Sequence, residues 1–539
     1  MVGRGAMNPT TRFPRSSARR AFSSPEQKVF FPLPFHRRLI AIALLGAAIA
    51  VVIVACTEST SGDDAKPTVT FSPADATATW VAFEPERQQM MADILEQQAA
   101  SATTIAATQL AMFGDTAPTT QTATATPLPT AVPIPQRAIA EGPVNRIAFE
   151  DGQGSIFTVN PDGTGLATIG DGSVVDGQFR YTFPVWSPEG GSVLFSSFLV
   201  VGAAVSQSSL HRADADGNGV IVTLAIDPTS QSGVGPGVPH FSAWSPIGDR
   251  IAFTTSGEFG IGSMLLGSYS GEAPKGIALG APLYINWAPD GSSILVHQDA
   301  GLYLIEVDGT GSGIPKAVGT GSVSFNSPAW SPDSKSFAHI ETIAGRTSIV
   351  ITDISDLSTS KIVGEGDTRV GLGWSPDGQN LAIARSSGAA FHTLSIYNFS
   401  DGSERVIHEG EARAFWWSPD GSKLAIIEDS GEIDLAHIWS VIDVDSGALT
   451  PLVTQVASDQ FLFVQVFFDQ YAESHNIWSP DSSHIVISGA ILDVEEVLKP
   501  DGAIDLPETF DSQIWVLDAA GIEEPVSVGK GTIASWSPQ

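Results

Sequence analysis

The sequence predicts an all-β protein in which one four-stranded unit is repeated eight times, on two observations. The phrase Trp-(Ser/Ala)-Pro returns at Trp186, Trp244, Trp287, Trp330, Trp374, Trp417, Trp478 and Trp536, at gaps of 58, 43, 43, 44, 43, 61 and 58 residues. After each copy except the last come a turn and a short apolar run, as in Trp374-Ser375-Pro376-Asp377-Gly378 before Leu381-Ala382-Ile383. A period near 43 residues with four short strands per period is the length of one β-propeller blade. The expected fold is an eight-bladed β-propeller of four-stranded antiparallel blades over residues 142–539.

Within a unit, the first strand ends at the tryptophan, as in Ser327-Pro328-Ala329-Trp330. The Ser-Pro-Asp-Gly phrase is a tight turn: Pro presets φ, Asp bonds its own backbone, and Gly accepts positive φ. The second strand is a continuous apolar run, such as Val193-Leu194-Phe195, Ile251-Ala252-Phe253 or Leu424-Ala425-Ile426. The third alternates, as in Leu302-Tyr303-Leu304-Ile305 and Ile514-Trp515-Val516-Leu517, and a shorter fourth completes the unit. Blade tryptophans are expected in the core. Trp416 is the exception, because neighbours in a strand face opposite ways.

Closure follows from the two ends of the array. Ile147-Ala148-Phe149 and Ile156–Val159 have no Trp-Ser-Pro before them, and Trp536-Ser537-Pro538 has no apolar strand after it. Joined, they make one blade, so the C-terminal strand closes the N-terminal blade and leaves no bare sheet edge.

Three gaps exceed the period. The extra residues fall at 198–206 and 228–240, at 453–475, and at 489–511. In antiparallel blades these loops project from the face opposite the Ser-Pro-Asp-Gly turns. The third carries Phe461, Phe463, Phe467, Phe468 and Tyr471; the last carries Asp493, Glu495 and Glu496. An aromatic segment beside an acidic one is the candidate binding surface. The competing reading is extra structure covering its own blade.

These repeats resemble the TolB-type, tryptophan–aspartate-like (PD40-type) β-propeller repeat, over about 400 residues. The resemblance implies protein partners met at one face or at the central channel. The same repeat occurs in propeller domains of prolyl-oligopeptidase-type peptidases and in oligogalacturonate lyases, so a propeller enzyme acting on glycans at the channel mouth is the alternative.

The residues before the array read as an address and a tether. Arg37-Arg38 precede the apolar run Leu39–Ala55, a charged region before a hydrophobic one. Ile53-Val54-Ala55-Cys56 resembles a bacterial lipobox, which implies cleavage before Cys56 and lipid attachment at its sulfur in an exported lipoprotein. An uncleaved membrane helix stays open as the other reading. Residues 1–55 are thus a signal segment, and both readings put the chain from Cys56 onward outside the cytoplasm. Residues 56–141 are a disordered Thr/Ala/Pro-rich tether with one candidate helix at 85–113.

From Cys56 onward 58 acidic residues face 19 basic ones, a formal charge of -39. Such a surface repels phosphate backbones, so nucleic acid is not an expected partner. The single cysteine allows no intrachain disulfide. There is no Gly-x-Ser-x-Gly elbow and no His-Glu-x-x-His, and the array runs to Gln539, so a fused hydrolase domain is not expected. Asp214-Ala215-Asp216-Gly217-Asn218-Gly219 imitates half of a calcium loop but has Ala225 where the bidentate Glu belongs. With its counterpart Asn160–Gly165 it reads as a turn between third and fourth strands. No metal and no cofactor are expected. The function read from the sequence is a monomeric, non-catalytic, membrane-anchored binding or scaffold propeller for a protein, peptide or cell-envelope ligand.

Overall fold

The computed structural model describes residues 145–538, apart from 173–178, 202–203, 220, 228–240, 258–259, 269–274, 280–282, 299–300, 308–314, 320–325, 368, 387–389, 432, 434–435 and 498–509. The signal segment, Cys56, the tether and the crossover at 228–240 lie outside the described residues, as do the side chains of Glu495 and Glu496. No helix among the described residues is long and apolar enough to cross a membrane.

The strands form five four-stranded antiparallel sheets and one of ten strands, an arrangement consistent with a β-propeller. Within the ten-stranded sheet the period persists. The long strand Glu404–Trp417 pairs with Phe391–Asn398 and then, through its second half, with Lys423–Asp429. Leu449–Ala457 likewise bridges Ala436–Asp443 and His484–Leu492. The third insertion therefore begins inside a strand. The first, at 198–206, lengthens the hairpin of Ser192–Val201 and Ala204–Asp214. The strand Ile533–Trp536 pairs antiparallel with Ile147–Glu150, register Ile147↔Trp536, and so completes the N-terminal sheet as expected.

The second strand of each unit is covered on both faces, which is why it reads as an unbroken apolar run. Val193, Leu194 and Phe195 have no accessible surface, nor do Leu381, Ala382 and Ile383, or Leu424, Ala425 and Ile426. Each such Leu, Ile or Phe contributes about 1.5–3 kcal/mol of burial.

The tryptophans do more than fill the core. Trp186 Nε1 donates to Ser535 O (3.1 Å), Trp330 to Asn286 O (3.2 Å) and Trp374 to Ala329 O (3.0 Å). Trp417 donates to Gly373 O (2.9 Å), Trp478 to Trp416 O (3.1 Å) and Trp244, at 3.4 Å, to Val185 O. Every acceptor is the residue just before the preceding unit's tryptophan. One indole thus ties each of these units to the one before it, and Trp186 carries the relay to the C-terminal strand. The backbone N–H of Trp536 donates to Asn476 O of the last unit while its indole donates to Asn145 Oδ1 (2.7 Å), and the Trp287 indole N–H makes no hydrogen bond among the described residues.

The turns after the tryptophans close as the sequence suggests. Gly190, Gly248, Gly291, Gly378 and Gly421 lie at φ between 70° and 75°, while Ser334 and Ser482 hold the same place at 59° and 60°. Ser375 Oγ donates to Asp377 Oδ1 (2.6 Å), which also accepts from Gln379 N (3.0 Å). Asn160–Gly165 and Asp214–Gly219 are tight turns between third and fourth strands.

Candidate functional site

At the opposite end, where the first strands begin, stands the third insertion. It folds into two helices, α1 (Asp459–Val466) and α2 (Phe468–Tyr471). Ser458 caps α1, its Oγ accepting from Phe461 N (3.2 Å). A further short helix, α3 (Val494–Val497), turns Val497 into a small cluster with Ile433, Ala436 and Leu492, while Asp493 stays exposed.

The aromatic residues singled out from the sequence converge in this insert, and they face inward. Phe461, Phe468 and Tyr471 are buried; Phe463 and Phe467 are half-buried. Phe468 packs on Phe391, Phe415 and Trp416, at centroid distances of 5.7, 5.2 and 6.3 Å. Trp416, the tryptophan out of phase with the repeat, is thereby accounted for: Trp417 serves the relay and Trp416 faces the insert.

One position of the repeat seats the insert: the third residue before each tryptophan. Phe183 meets Phe463, Phe241 meets Tyr471 at 5.3 Å, and Tyr284 meets Phe467 at 6.4 Å. On the other side the same position is Ser327, Gly371 and Ala414. A Cβ on Gly371 would stand 2.8 Å from the tip of the Phe468 ring, so only glycine leaves room there. Large residues on one side and small ones on the other fix the direction in which the insert leans. Phe183 is held at φ 54° beside a bulge, a strained state for a bulky residue that its packing against Phe463 and His475 offsets.

Polar contacts tie the insert to the strand starts. Ser458 Oγ donates to Thr532 O, and Gln460 bridges Thr182 (3.1 Å) and Thr532 (2.8 Å). Ser327 N donates to Asp469 (2.9 Å), and Ile285 N, at 3.4 Å, to Gln470 Oε1. Asn286 Nδ2 donates to Pro328 O (2.9 Å) and reaches Glu473 Oε1 at 3.4 Å.

Enclosure shifts the titrating groups here. Glu150, buried and accepting from Thr182, is pushed up to about 7 by loss of hydration. Glu473 is also pushed up to about 7 by burial, although its side chain keeps accessible surface. Glu473 is exposed yet has dense protein about it; the upward direction follows from that surrounding mass, and the exposed surface tempers its size. Burial raises Asp469 as well, opposed by the Ser327 N–H and by Arg369. His475, enclosed by apolar neighbours, is pushed down to about 3 and stays neutral. Among the described residues no three His, Cys, Asp or Glu side chains are grouped to hold a metal ion.

Glu473, Asn286, Asp469 and Gln460 were not singled out by the sequence reading. A signal for the insert was present: Phe461, Val464, Phe468 and Tyr471 are spaced three, four and three apart, a helical stripe.

No protein-family model matches the sequence, and no curated protein matches it. Among solved structures it is similar to TolB from Acinetobacter baumannii, at 15% identity and a TM-score of 0.34, covering 65% of this chain and 83% of that one. It is also similar to a eukaryotic initiation factor (12% identity, TM-score 0.45, 74% of this chain and 99% of that one). The dihydro-heme d1 dehydrogenase NirN is a third (13% identity, TM-score 0.47, 75% and 78%). At these values nothing about ligand or activity carries across.

Proposed function

We propose that the chain is an eight-bladed β-propeller, anchored outside the cytoplasm through a lipidated Cys56, that acts as a non-catalytic binding or scaffold protein. Eight blades are supported by the eight successive tryptophan units, six of whose indoles bond the preceding unit, Trp186 reaching the C-terminal strand. The partner is a protein, peptide or cell-envelope ligand engaged at the end where the first strands begin.

The insert carries this reading. The repeat needs none of residues 458–475 to close, yet they occupy the place where the first strands converge and bring an exposed Glu473 beside Asn286. A segment that breaks the period to shape one end, and only that end, is what a recognition surface requires. The test is capture from a detergent-solubilised cell envelope by the tagged full chain. Recovery of a defined partner supports the proposal, and loss of that capture in Glu473→Arg assigns it to this end. Failure of wild-type protein to retain anything above a tag-only control refutes it. Lipid attachment is tested by incorporation of a labelled fatty acid, expected in wild-type protein and absent from Cys56→Ser.

The glycan-enzyme alternative is favoured by one observation, the Glu473 carboxyl at about 7, where a general acid would be poised. Cleavage of envelope polysaccharide by wild-type protein, abolished in Glu473→Gln, would establish it instead.

A further inference from the structure

We infer that the acceptor pair formed by Asn286 and Glu473 receives a basic side chain, the ammonium of a lysine or the guanidinium of an arginine, presented by the partner. The inference rests on the binding reading above and gives that partner a chemistry.

It starts from an unsatisfied atom. Asn286 is 6% exposed, and among the described residues its Oδ1 has no hydrogen-bond partner. The amide cannot be turned to relieve this. Its nitrogen already faces two oxygens, Pro328 O and Glu473 Oε1, and exchanging the two amide atoms would set oxygen against oxygen at both. The group left over is therefore an acceptor, and a buried acceptor requires a donor. Beside it, Glu473 presents a carboxylate that has kept its solvent contact and has acceptor capacity to spare. Two acceptors side by side, one neutral and one ionisable, select a ligand that is all donor. Ammonium and guanidinium are the side-chain groups that offer several donors and no acceptor.

The surroundings fit the rest of such a side chain. Tyr284 and Asn286 are two apart on one strand, so both face the same way, about 7 Å apart. Phe467, half-buried and packed on the Tyr284 ring, thus offers apolar surface beside the polar groups, suited to the methylene stem of a lysine or arginine. Asp469 adds a second carboxyl on the same insert, and the net charge of the chain draws cations toward it.

The experiment is calorimetric titration of the full chain in detergent with Nα-acetyl-lysine N-methylamide, with the Nε-acetylated form as control. The two probes differ in the charge and donors of one nitrogen. Wild-type protein is expected to bind the charged form at least about tenfold more tightly than the control. Glu473→Gln should erase that preference, and Asp162→Asn, in an exposed turn far along the sequence, should leave it unchanged. Equal binding of both probes, no binding of either, or a preference that survives Glu473→Gln overturns the inference. Envelope capture separates this failure from that of the broader reading. If wild-type protein retains a partner and Glu473→Gln retains it equally, the binding proposal stands and the basic-group assignment falls.

Discussion

The two ends of the strands are built on opposite plans. At the turn end, one short device is repeated, built mainly on its own serine, aspartate and backbone N–H groups, with single bonds from Asp290 N to Ser334 and from Asp420 N to Ser482 joining neighbouring turns. At the insert end a single segment is shared, touching first strands from units far apart in sequence. Their carboxyls move in opposite directions, one lowered by hydrogen bonding and the others raised by loss of hydration. Asp481, hydrogen-bonded by Ser479 and Ser483 and open to water, is pushed down to about 2. Glu150, deprived of water, and Glu473, exposed but hemmed in by protein, are pushed up to about 7. The turn end is modular, so damage there should stay local. The insert end is a keystone, and damage there should spread.

The largest effect should come from emptying the keystone. Phe468→Ala removes a side chain 2% exposed among Phe391, Phe415 and Trp416, and should lower unfolding free energy by about 3–5 kcal/mol. Denaturant titration checks it, and a loss below that of a single turn substitution would break the comparison. Deleting the whole insert is a poorer probe of binding, since it would remove the same packing.

Next is the pH response. In the folded state Glu150 titrates above its ordinary value of 4.5, so the native chain holds a proton that the unfolded chain has released. Stability should fall as pH rises from about 4.5 through about 7. Glu150→Gln should therefore raise thermal stability at pH 8, by at most roughly 3 kcal/mol, with the gain vanishing below pH 4.5. A gain independent of pH would contradict the assignment.

Smaller effects belong to the turns. Ser482 holds a left-handed φ of 60°, while its Oγ accepts from Asp420 N of the neighbouring turn (3.1 Å). Ser482→Gly relieves the first and loses the second, so its melting temperature should barely move. Ser482→Ala keeps the strain and loses the bond, costing about 1 kcal/mol. The smallest change should be Asp481→Asn. Its depressed carboxyl contributes stability above the ordinary value of 3.8 that is lost as pH falls through about 2. Because the group is exposed, that contribution should stay below about 1 kcal/mol at pH 7 and vanish near pH 2, as measured by parallel denaturant titrations.

The same contrast explains what could be read in advance. Turn chemistry and strand burial are local, so Trp374-Ser375-Pro376-Asp377-Gly378 and Leu381-Ala382-Ile383 declare their roles within a dozen residues. The pairing of Ile147 with Trp536 was also legible, because each lacked a partner that the other supplied. The insert was not. Its helical stripe shows that one face is apolar but not where that face goes, since its seat exists only once Phe183, Tyr284, Gly371 and Phe415 have been brought together. The graded position three residues before each tryptophan holds that information, spread over several repeats. Glu473 and Asn286, neighbours across 187 positions, carry no mark in the sequence.

The pairing of Ile533–Trp536 with Ile147–Glu150 also has a consequence in time. The hydrogen bond from Arg146 N to Ser537 Oγ spans 391 positions. At about 5–20 residues per second, a ribosome needs roughly 20–80 s to cover such a distance. For that interval Ile147–Glu150 has been made and the strand that covers its edge has not. The innermost edge of the N-terminal sheet is the last to be sealed, and until then it is where another chain could pair in its place.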